Sequence, residues 1–133
     1  MADYYTRAVM QPFIPDDLVM DEDGVKLKAF GFDSESAGDS KCYFYAEEYR
    51  ASGIYEKEEG GPIAEFGEDD LIALLQGVIK RSNGALPFIT IEMSYSCSMM
   101  RQDGFGGAAV FITANNAVWQ STAHWIERKE AQL

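Results

Sequence analysis

The chain has 133 residues, of which 47% are hydrophobic and 13% aromatic, a composition that suits one globular domain and excludes a disordered chain. Its two cysteines are too few for a disulfide framework, and we find neither a signal peptide nor an apolar run of about 20 residues that could span a membrane. We therefore expect a single acidic domain over residues 1–133, located in the cytoplasm, with reduced thiols and no membrane partner.

The negative charge is concentrated in one part of the chain. The formal net charge is -11; residues 1–75 carry 18 acids and 6 bases, whereas residues 76–133 carry 4 acids and 5 bases. Direct binding to nucleic acid is not expected, because lysines and arginines neutralise phosphates and here they never cluster beyond two. The acidic part favours either simple solubility or a face shaped to meet a basic partner.

The first half of the chain predicts mainly strands and loops. Residues 4–13 are rich in β-forming side chains and predict a strand that ends at two prolines. We interpret residues 16–24 as an acidic loop with at most a short helical turn. The alternation of apolar and polar side chains over residues 25–32 predicts a half-buried strand. Residues 33–40 predict a polar loop, and the aromatic residues 41–45 another strand.

A charged loop over residues 55–62 is expected to precede the clearest helix, over residues 68–81. Asp69 and Asp70 lie in its first turn, where the helix dipole favours negative charge, and the last turn is basic. An Asn-Gly pair at 83–84 can supply the left-handed residue that ends a helix. The apolar residues of this predicted helix recur at helical spacing: Leu71, Leu74, Leu75, Val78 and Ile79.

The second half predicts three strands, over residues 88–95, 108–113 and 117–120, the last two joined by a tight turn at 115–116. A final helix is expected to begin at Ser121 or Thr122 and to bury Trp125 and Ile126. The order is not a regular alternation of strands and helices. It predicts an α+β domain: a mainly antiparallel sheet of about five to six strands with two helices packed on one face.

The sequence matches neither a calcium-binding nor a zinc-binding pattern. If Gly24 takes position 6 of a calcium loop, Val19 and Phe30 fall at positions 1 and 12, and neither side chain can bind calcium. Two cysteines and one histidine leave a zinc site short of ligands. We expect no metal and no cofactor.

No catalytic residue is predicted. A nucleophilic cysteine needs a nearby base or cation, and nothing in the sequence places His124 or Arg101 beside Cys97. A buried cysteine acting as a small hydrophobic residue is the simpler interpretation. An enzyme that acts at the loop 101–107 stays as an alternative, and it would require a reactive thiol.

The loop 101–107 is the most unusual stretch, with three glycines in four positions. Its glycines either form a tight bend that packs Phe105 over the core or cradle an anion through backbone N–H groups, with Arg101 assisting. We treat Arg101, Asp103 and Phe105 as a possible secondary binding loop.

The C-terminal stretch resembles a known family. The residues concerned are Cys97-Ser98-x-x-Arg101-x-Asp103-x-Phe105-Gly106-Gly107, then Val110-Phe111-Ile112-Thr113-Ala114, then Trp119, Thr122 and Trp125. Together with the opening Asp3-Tyr4-Tyr5-Thr6, they are similar to a family of small uncharacterised proteins of bacteria and their phages and plasmids. The family often has a third glycine where this chain has Ala108, and residues 14–90 lie outside the resemblance. The resemblance implies a bacterial or mobile-element origin and carries no activity with it.

The leading hypothesis is a non-enzymatic acidic binding protein, encoded by a phage or plasmid, that occupies a basic nucleic-acid-binding groove of a host defence complex. Such a DNA mimic would be of the anti-CRISPR or anti-restriction type, because carboxylates along a face can replace phosphates. The residues predicted to bind the partner are Asp16, Asp17, Asp21, Glu22, Asp23, Asp33, Glu35, Glu47, Glu48, Glu58 and Glu59.

The alternative is a structural or self-associating intracellular protein, such as a homodimer, whose acids form only a solvated face. The seven tyrosines or the region around Trp119 and Trp125 would then form the self-interface.

Overall fold

The computed structural model describes residues 4–56 and 63–133, with side chains described outside residues 53–66. These residues form three helices, a seven-stranded antiparallel sheet and a two-stranded hairpin. The predicted α+β class with a mainly antiparallel sheet is confirmed, with one helix more than expected. No helix in the described ranges is long and apolar enough to cross a membrane.

The strands are β1 (Tyr4–Gln11), β2 (Ile14–Pro15), β3 (Phe32–Gly38), β4 (Lys41–Ala46), β5 (Ser52–Glu56), β6 (Ile63–Gly67), β7 (Ile89–Cys97), β8 (Gly106–Ile112) and β9 (Ala117–Ser121). The helices are α1 (Asp21–Ala29), α2 (Glu68–Arg81) and α3 (Thr122–Glu130). In the main sheet the strands lie in the order β3, β4, β1, β7, β8, β9. The short strand β2 pairs with the same edge of β4 as β1, but at residues 41–42, whereas β1 pairs at residues 45–46. The strands β5 and β6 pair separately.

One face of the main sheet carries the core. Because side chains alternate along a strand, Ala8 and Met10 of β1 point to the same side as Ile91 and Met93 of β7, with which they pair. The helices α1 and α2 cover this face, and Leu27 and the buried residues of α2 belong to the same cluster as the strand residues. Burial of each of the larger side chains, such as Met10, Leu27 and Ile91, stabilises the fold by about 1.5–3 kcal/mol.

The helix α2 forms where the periodicity predicted it, over residues 68–81. Its Asp70 carboxylate accepts a hydrogen bond from the Gly67 N–H at 2.9 Å, which satisfies one free donor of the first turn. The helix ends at left-handed residues, Asn83 at φ 51° and Gly84 at φ 92°. Four of its apolar residues are buried: Leu71, Leu75, Val78 and Ile79.

The short helical turn expected within the acidic segment 16–24 is present as a 3-10 turn at Asp16–Leu18. The rest of the predicted loop and the strand predicted over residues 25–32 are wrong, because residues 21–29 form α1. Three acids occupy its first turn, where the helix dipole favours them, and Asp23 accepts from the Met20 N–H at 3.1 Å. A Glu22–Lys26 ion pair at 3.3 Å spans one turn. These local effects outweigh the strand-like alternation, and only Leu27 of the helix is buried.

The loop predicted for residues 33–40 is also wrong, because residues 32–38 form β3. Polar residues are depleted in strands, but β3 lies at the edge of the sheet, where charged side chains are tolerated and discourage pairing with other chains. The loop predicted for residues 55–62 overlaps β5 at residues 55–56, and residues 57–62 lie outside the described ranges.

The helix α3 begins where expected, since Ser121 accepts a hydrogen bond from the His124 N–H at 3.1 Å. The predicted burial of its apolar residues is wrong: Trp125 is 51% exposed and Ile126 is 50% exposed. The helix lies beside β8 and β9 and none of its residues is buried. The two helices packed on the core face are therefore α1 and α2.

Candidate functional site

The second face of the main sheet lacks the helical cover of the first. Within the described ranges, only α3 lies near it, beside β8 and β9. We call it the open face and define it by the side chains that alternate with the core residues: Tyr5, Arg7, Val9, Gln11, Asp33, Glu35, Tyr43, Tyr45, Glu92, Ser94, Ala109, Phe111, Val118 and Gln120.

Pairing across five strand boundaries places distant residues in one row of the open face. Asp33 pairs with Tyr45, Tyr45 with Val9, and Val9 with Glu92. The row continues from Glu92 through Ala109 to Gln120 on the far edge. Opposite residues in antiparallel strands lie about 4.5–5.5 Å apart, so Asp33 at one edge and Gln120 at the other belong to one continuous row.

The end formed by β3 and β4 carries a patch of aromatic rings. The rings of Tyr43 and Tyr45 stack, with centroids 5.4 Å apart and an interplanar angle of 24°. Phe13 meets the ring of Tyr43 edge-on at 6.3 Å. We call Phe13, Tyr43 and Tyr45 the aromatic strip. It offers flat, partly exposed ring surface at the edge of the molecule.

Carboxylates surround this aromatic strip. The Tyr45 hydroxyl donates a hydrogen bond to Glu35 Oε1 at 3.1 Å. This hydrogen bond is the main cause that raises the pKa of Tyr45, followed by burial and by the negative charges of Glu35, Asp33 and Glu47. Three carboxylates therefore lie close enough to raise the pKa of the Tyr45 phenol, and we call them the acidic rim: Asp33, Glu35 and Glu47.

The acidic rim continues into the other acids of the first half. Asp33 lines a cleft between α1 and β3 together with Asp16 and Asp21, and it also lines a hollow with Glu47 and Glu48. Asp33 borders both, but the cleft is lined by Phe32, Ser34 and Phe44, which alternate with the open-face residues, so Asp16 and Asp21 lie on the α1 side of β3 and not beside the aromatic strip. Lys28 and Arg50 lie in the same hollow, and no ion pair joins them to the acids within the described residues.

Asp16 connects the cleft to a third hollow, which it lines together with Asp17 and Asp39. Asp39 was not among the predicted residues. It follows the end of β3 in a turn with φ of 50°, and no sequence signal distinguishes it from other loop acids. Lys41 lines this hollow too, so the charge there is mixed.

Two of the predicted partner-binding acids have structural partners instead. Asp23 forms an ion pair with Arg81 at 2.6 Å, which joins α1 to α2, and it also caps α1. Glu22 pairs with Lys26 on the same helix. Glu58 and Glu59 lie outside the described residues.

The glycines of the loop 101–107 serve close packing. A Cβ on Gly104 would lie 2.3 Å from the Cβ of Cys97, and one on Gly106 would lie 2.6 Å from the ring of Tyr95. Neither glycine is in the left-handed region, which the anion cradle would favour. The expected packing of Phe105 over the core is wrong, since its side chain is 48% exposed.

Arg101 and Asp103, the other members of the predicted secondary loop, are both exposed. Their side chains form no hydrogen bond or ion pair with the described residues. The structure therefore places all three residues at the surface without assembling them into a site.

The thiols are not arranged for nucleophilic chemistry. Cys97 is buried and makes no contact with His124 in the described part of the chain, where His124 is exposed on α3. The Cys42 thiol donates to the Ile14 carbonyl at 3.3 Å, and burial raises its pKa to about 11, assisted by the carboxylate of Asp16. An activated cysteine requires the opposite shift.

The two tryptophans do not form one surface. Trp119 pairs with the buried Val110 and points to the covered face, whereas Trp125 lies beside Glu92 and Ala109 of the open face. A self-interface that uses both tryptophans together is therefore not supported by their positions.

The chain matches no known protein family, no curated protein and no solved structure. The open face, with its aromatic strip and acidic rim, is the feature of the molecule from which a function can be inferred.

Proposed function

We propose that the protein is a non-enzymatic binding protein that docks on a basic, arginine-rich surface of a partner through the β3–β4 end of the open face. The observation that carries this proposal is the aromatic strip surrounded by Asp33, Glu35 and Glu47. None of these three carboxylates has an ion-pair partner among the described residues. They are free to meet cations of a second molecule.

The chemistry of arginine fits this surface. A guanidinium group is planar, stacks on aromatic faces and donates two parallel hydrogen bonds to a carboxylate. Tyr43 and Tyr45 offer the ring faces, and Asp33 and Glu35 offer carboxylates on the paired strand next to them. Tyrosine also provides contact area at a low entropic cost, which is why it is enriched in interfaces.

The charge density argues for docking that combines charge with aromatic contacts. Asp33 and Glu35, two residues apart on β3, place their charges roughly 6.8 Å apart, whereas duplex DNA carries one charge per roughly 1.7 Å of its axis. The strand alone is therefore about fourfold less dense than DNA. Glu47, in the segment after β4, raises the density, and the aromatic strip adds contact area that phosphates lack.

The partner proposed is a nucleic-acid-binding protein inside the cell, whose basic groove the acidic end occupies. A defence complex of the restriction or CRISPR type has such a groove, and a protein encoded by a phage or plasmid would benefit from occupying it. Charge complementarity speeds association and makes it dependent on salt.

A labelled deca-arginine peptide provides the first test, because it presents the proposed chemistry without requiring the natural partner. The variant D33N/E35Q removes two charges from the acidic rim and leaves the glutamine able to accept from Tyr45. The matched control, E127Q/E130Q, removes two charges from exposed positions of α3.

We expect D33N/E35Q to weaken peptide binding about tenfold at low salt, since two contacts of about 0.7 kcal/mol each amount to one decade. The control pair should change the affinity less than twofold. Equal weakening by both pairs, or an affinity that does not fall with added salt, would remove the proposal.

Self-association is a second candidate function, favoured by the apolar part of the open face. Phe88 and Phe111 stack with centroids 4.9 Å apart and remain 37% and 47% exposed, and Val118 lies beside them on β9. Exposed apolar patches often mark interfaces. If a homodimer buries this patch, light scattering will show twice the monomer mass, and F111E will restore the monomer.

A further inference from the structure

A groove of about 630 Å³ lies between α3 and the open face at the β7–β9 end. Its volume falls within the range of roughly 300–1,000 Å³ that is typical of small-molecule sites. Trp125 and Ile126 line it from the helix, and Ala109, Glu92 and Gln120 line it from the sheet. The lining is mainly apolar, and Glu92 is its one charged residue.

The sequence explains why the groove is open. The Thr122 hydroxyl accepts a hydrogen bond from the Gly107 N–H at 3.0 Å and lies 3.3 Å from the Gly107 carbonyl oxygen, which fixes the first turn of α3 to β8. Beyond this turn the helix has no buried residue. Because Gly107 and Ala109 are small, the sheet leaves space below Trp125 that larger side chains would fill.

The polar groups in the groove identify the chemistry of an occupant. The side chains of Glu92 and Gln120 form no ion pair or hydrogen bond with the described residues. Glu92 is exposed, and its carboxylate attracts a cation and repels an anion. The Lys129 ammonium lies 5.7 Å from the centroid of the Trp125 ring, so a cation already contacts this ring and Glu92 is the group left to bind the charge of an occupant.

We propose that this groove binds a small organic cation, namely a protonated amine attached to an aromatic or branched apolar body. The apolar body would lie against Ala109, Trp125 and Ile126, and the ammonium would donate to the carboxylate of Glu92. This site is separate from the acidic rim, since β1 lies between β4 and β7.

Three probes of similar size separate charge from apolar contact: 2-phenylethylamine, the neutral 2-phenylethanol and the anionic 3-phenylpropionate. Binding is measured by calorimetry and by the fluorescence of Trp125 in a W119F background, since Trp119 points to the other face. We expect the amine to bind at least fivefold tighter than the alcohol, with a dissociation constant at or below about 1 mM, and the acid to bind weakest.

Two variants locate the site. E92Q keeps the size of the side chain and should reduce amine binding to the level of the alcohol. A109L projects into the groove and should abolish binding of all three probes, while circular dichroism confirms that the fold is kept. The proposal would be overturned if the amine does not bind at a concentration of 10 times the expected dissociation constant. It would also be overturned if amine and alcohol bind with equal affinity, or if binding is unchanged in either variant.

Discussion

The position of Glu47 and Glu48 depends on a single glycine. Gly31 follows α1 at φ 94°, and a Cβ there would lie 2.0 Å from the Glu48 carbonyl oxygen. The backbone after β4 crosses this glycine closely, and the Arg50 N–H donates to the Phe30 carbonyl at 2.9 Å. We expect Gly31→Ala to destabilise the protein and to displace Glu47 and Glu48 in the hollow that they line with Asp33.

Gly84 provides a matched control. Its φ of 92° is almost the same, but a Cβ there meets no atom within 4 Å. The left-handed conformation costs alanine about 1–2 kcal/mol, partly offset by about 0.4–1 kcal/mol from the more restricted unfolded chain. Gly84→Ala should therefore cost about 1 kcal/mol, and Gly31→Ala should cost about 1–3 kcal/mol more, because the backbone has to move.

Urea unfolding followed by circular dichroism measures both free energies of unfolding, and equal slopes against urea allow the comparison. The affinity of each variant for deca-arginine at low salt then shows whether Gly31→Ala, and not Gly84→Ala, weakens peptide binding. If the two variants lose stability equally, to within about 0.5 kcal/mol, the close approach at Gly31 does not constrain the fold.

Three further predictions concern the core and the titrating groups. Leu75→Ala should lower the free energy of unfolding by about 2–5 kcal/mol in urea melts, because Leu75 is fully buried; a loss below 1 kcal/mol would contradict its place in the core. Burial, and then the hydrogen bond from Tyr49 to Glu68, raise the pKa of Tyr49 above its ordinary value of 10.0, so the folded chain retains a proton that the unfolded chain releases. Stability should therefore fall as the pH rises past 10, and less so in Tyr49→Phe, whereas parallel curves for the two proteins would refute this. In a Cys97→Ser background, Cys42 should react with iodoacetamide at pH 8 about 100-fold more slowly than an ordinary thiol, because its pKa is raised from 9.0 to about 11; a rate like that of free cysteine would show that the thiol is not buried.

The elements predicted correctly are those whose signals are local and agree. The helix α2 has helical spacing, acids at its start and a left-handed stop at its end, and each of these signals can be identified in the sequence without knowledge of tertiary contacts. The strands β7, β8 and β9 coincide with apolar runs of the sequence. The turn between β8 and β9 is closed by a hydrogen bond from the Thr113 N–H to the Asn116 carbonyl.

The elements missed are those in which signals compete. The segment 25–29 alternates like a strand, but capping by Asp23 and the ion pair of Asp23 with Arg81, which lies 58 positions away, favour a helix. The strand β3 is too polar to be recognised from composition, and among the described strands it pairs with β4 alone, at the edge of the sheet.

The candidate site was predicted as a set of acids and not as an arrangement. The sequence identified Asp33, Glu35 and Glu47, but their position around Tyr45 depends on the register between β3 and β4. The groove below Trp125 was not foreseen, because apolar residues at helical spacing predict burial and the chain leaves them exposed.

An NMR titration of the ¹⁵N-labelled chain with deca-arginine tests most directly whether the β3–β4 end of the open face is the docking surface. We expect the largest shift changes at the backbone amides of residues 32–47, with those of α2 and α3 almost unchanged. Changes spread evenly over all acidic residues, including Glu127 and Glu130, would show that the peptide follows net charge alone and would contradict the account.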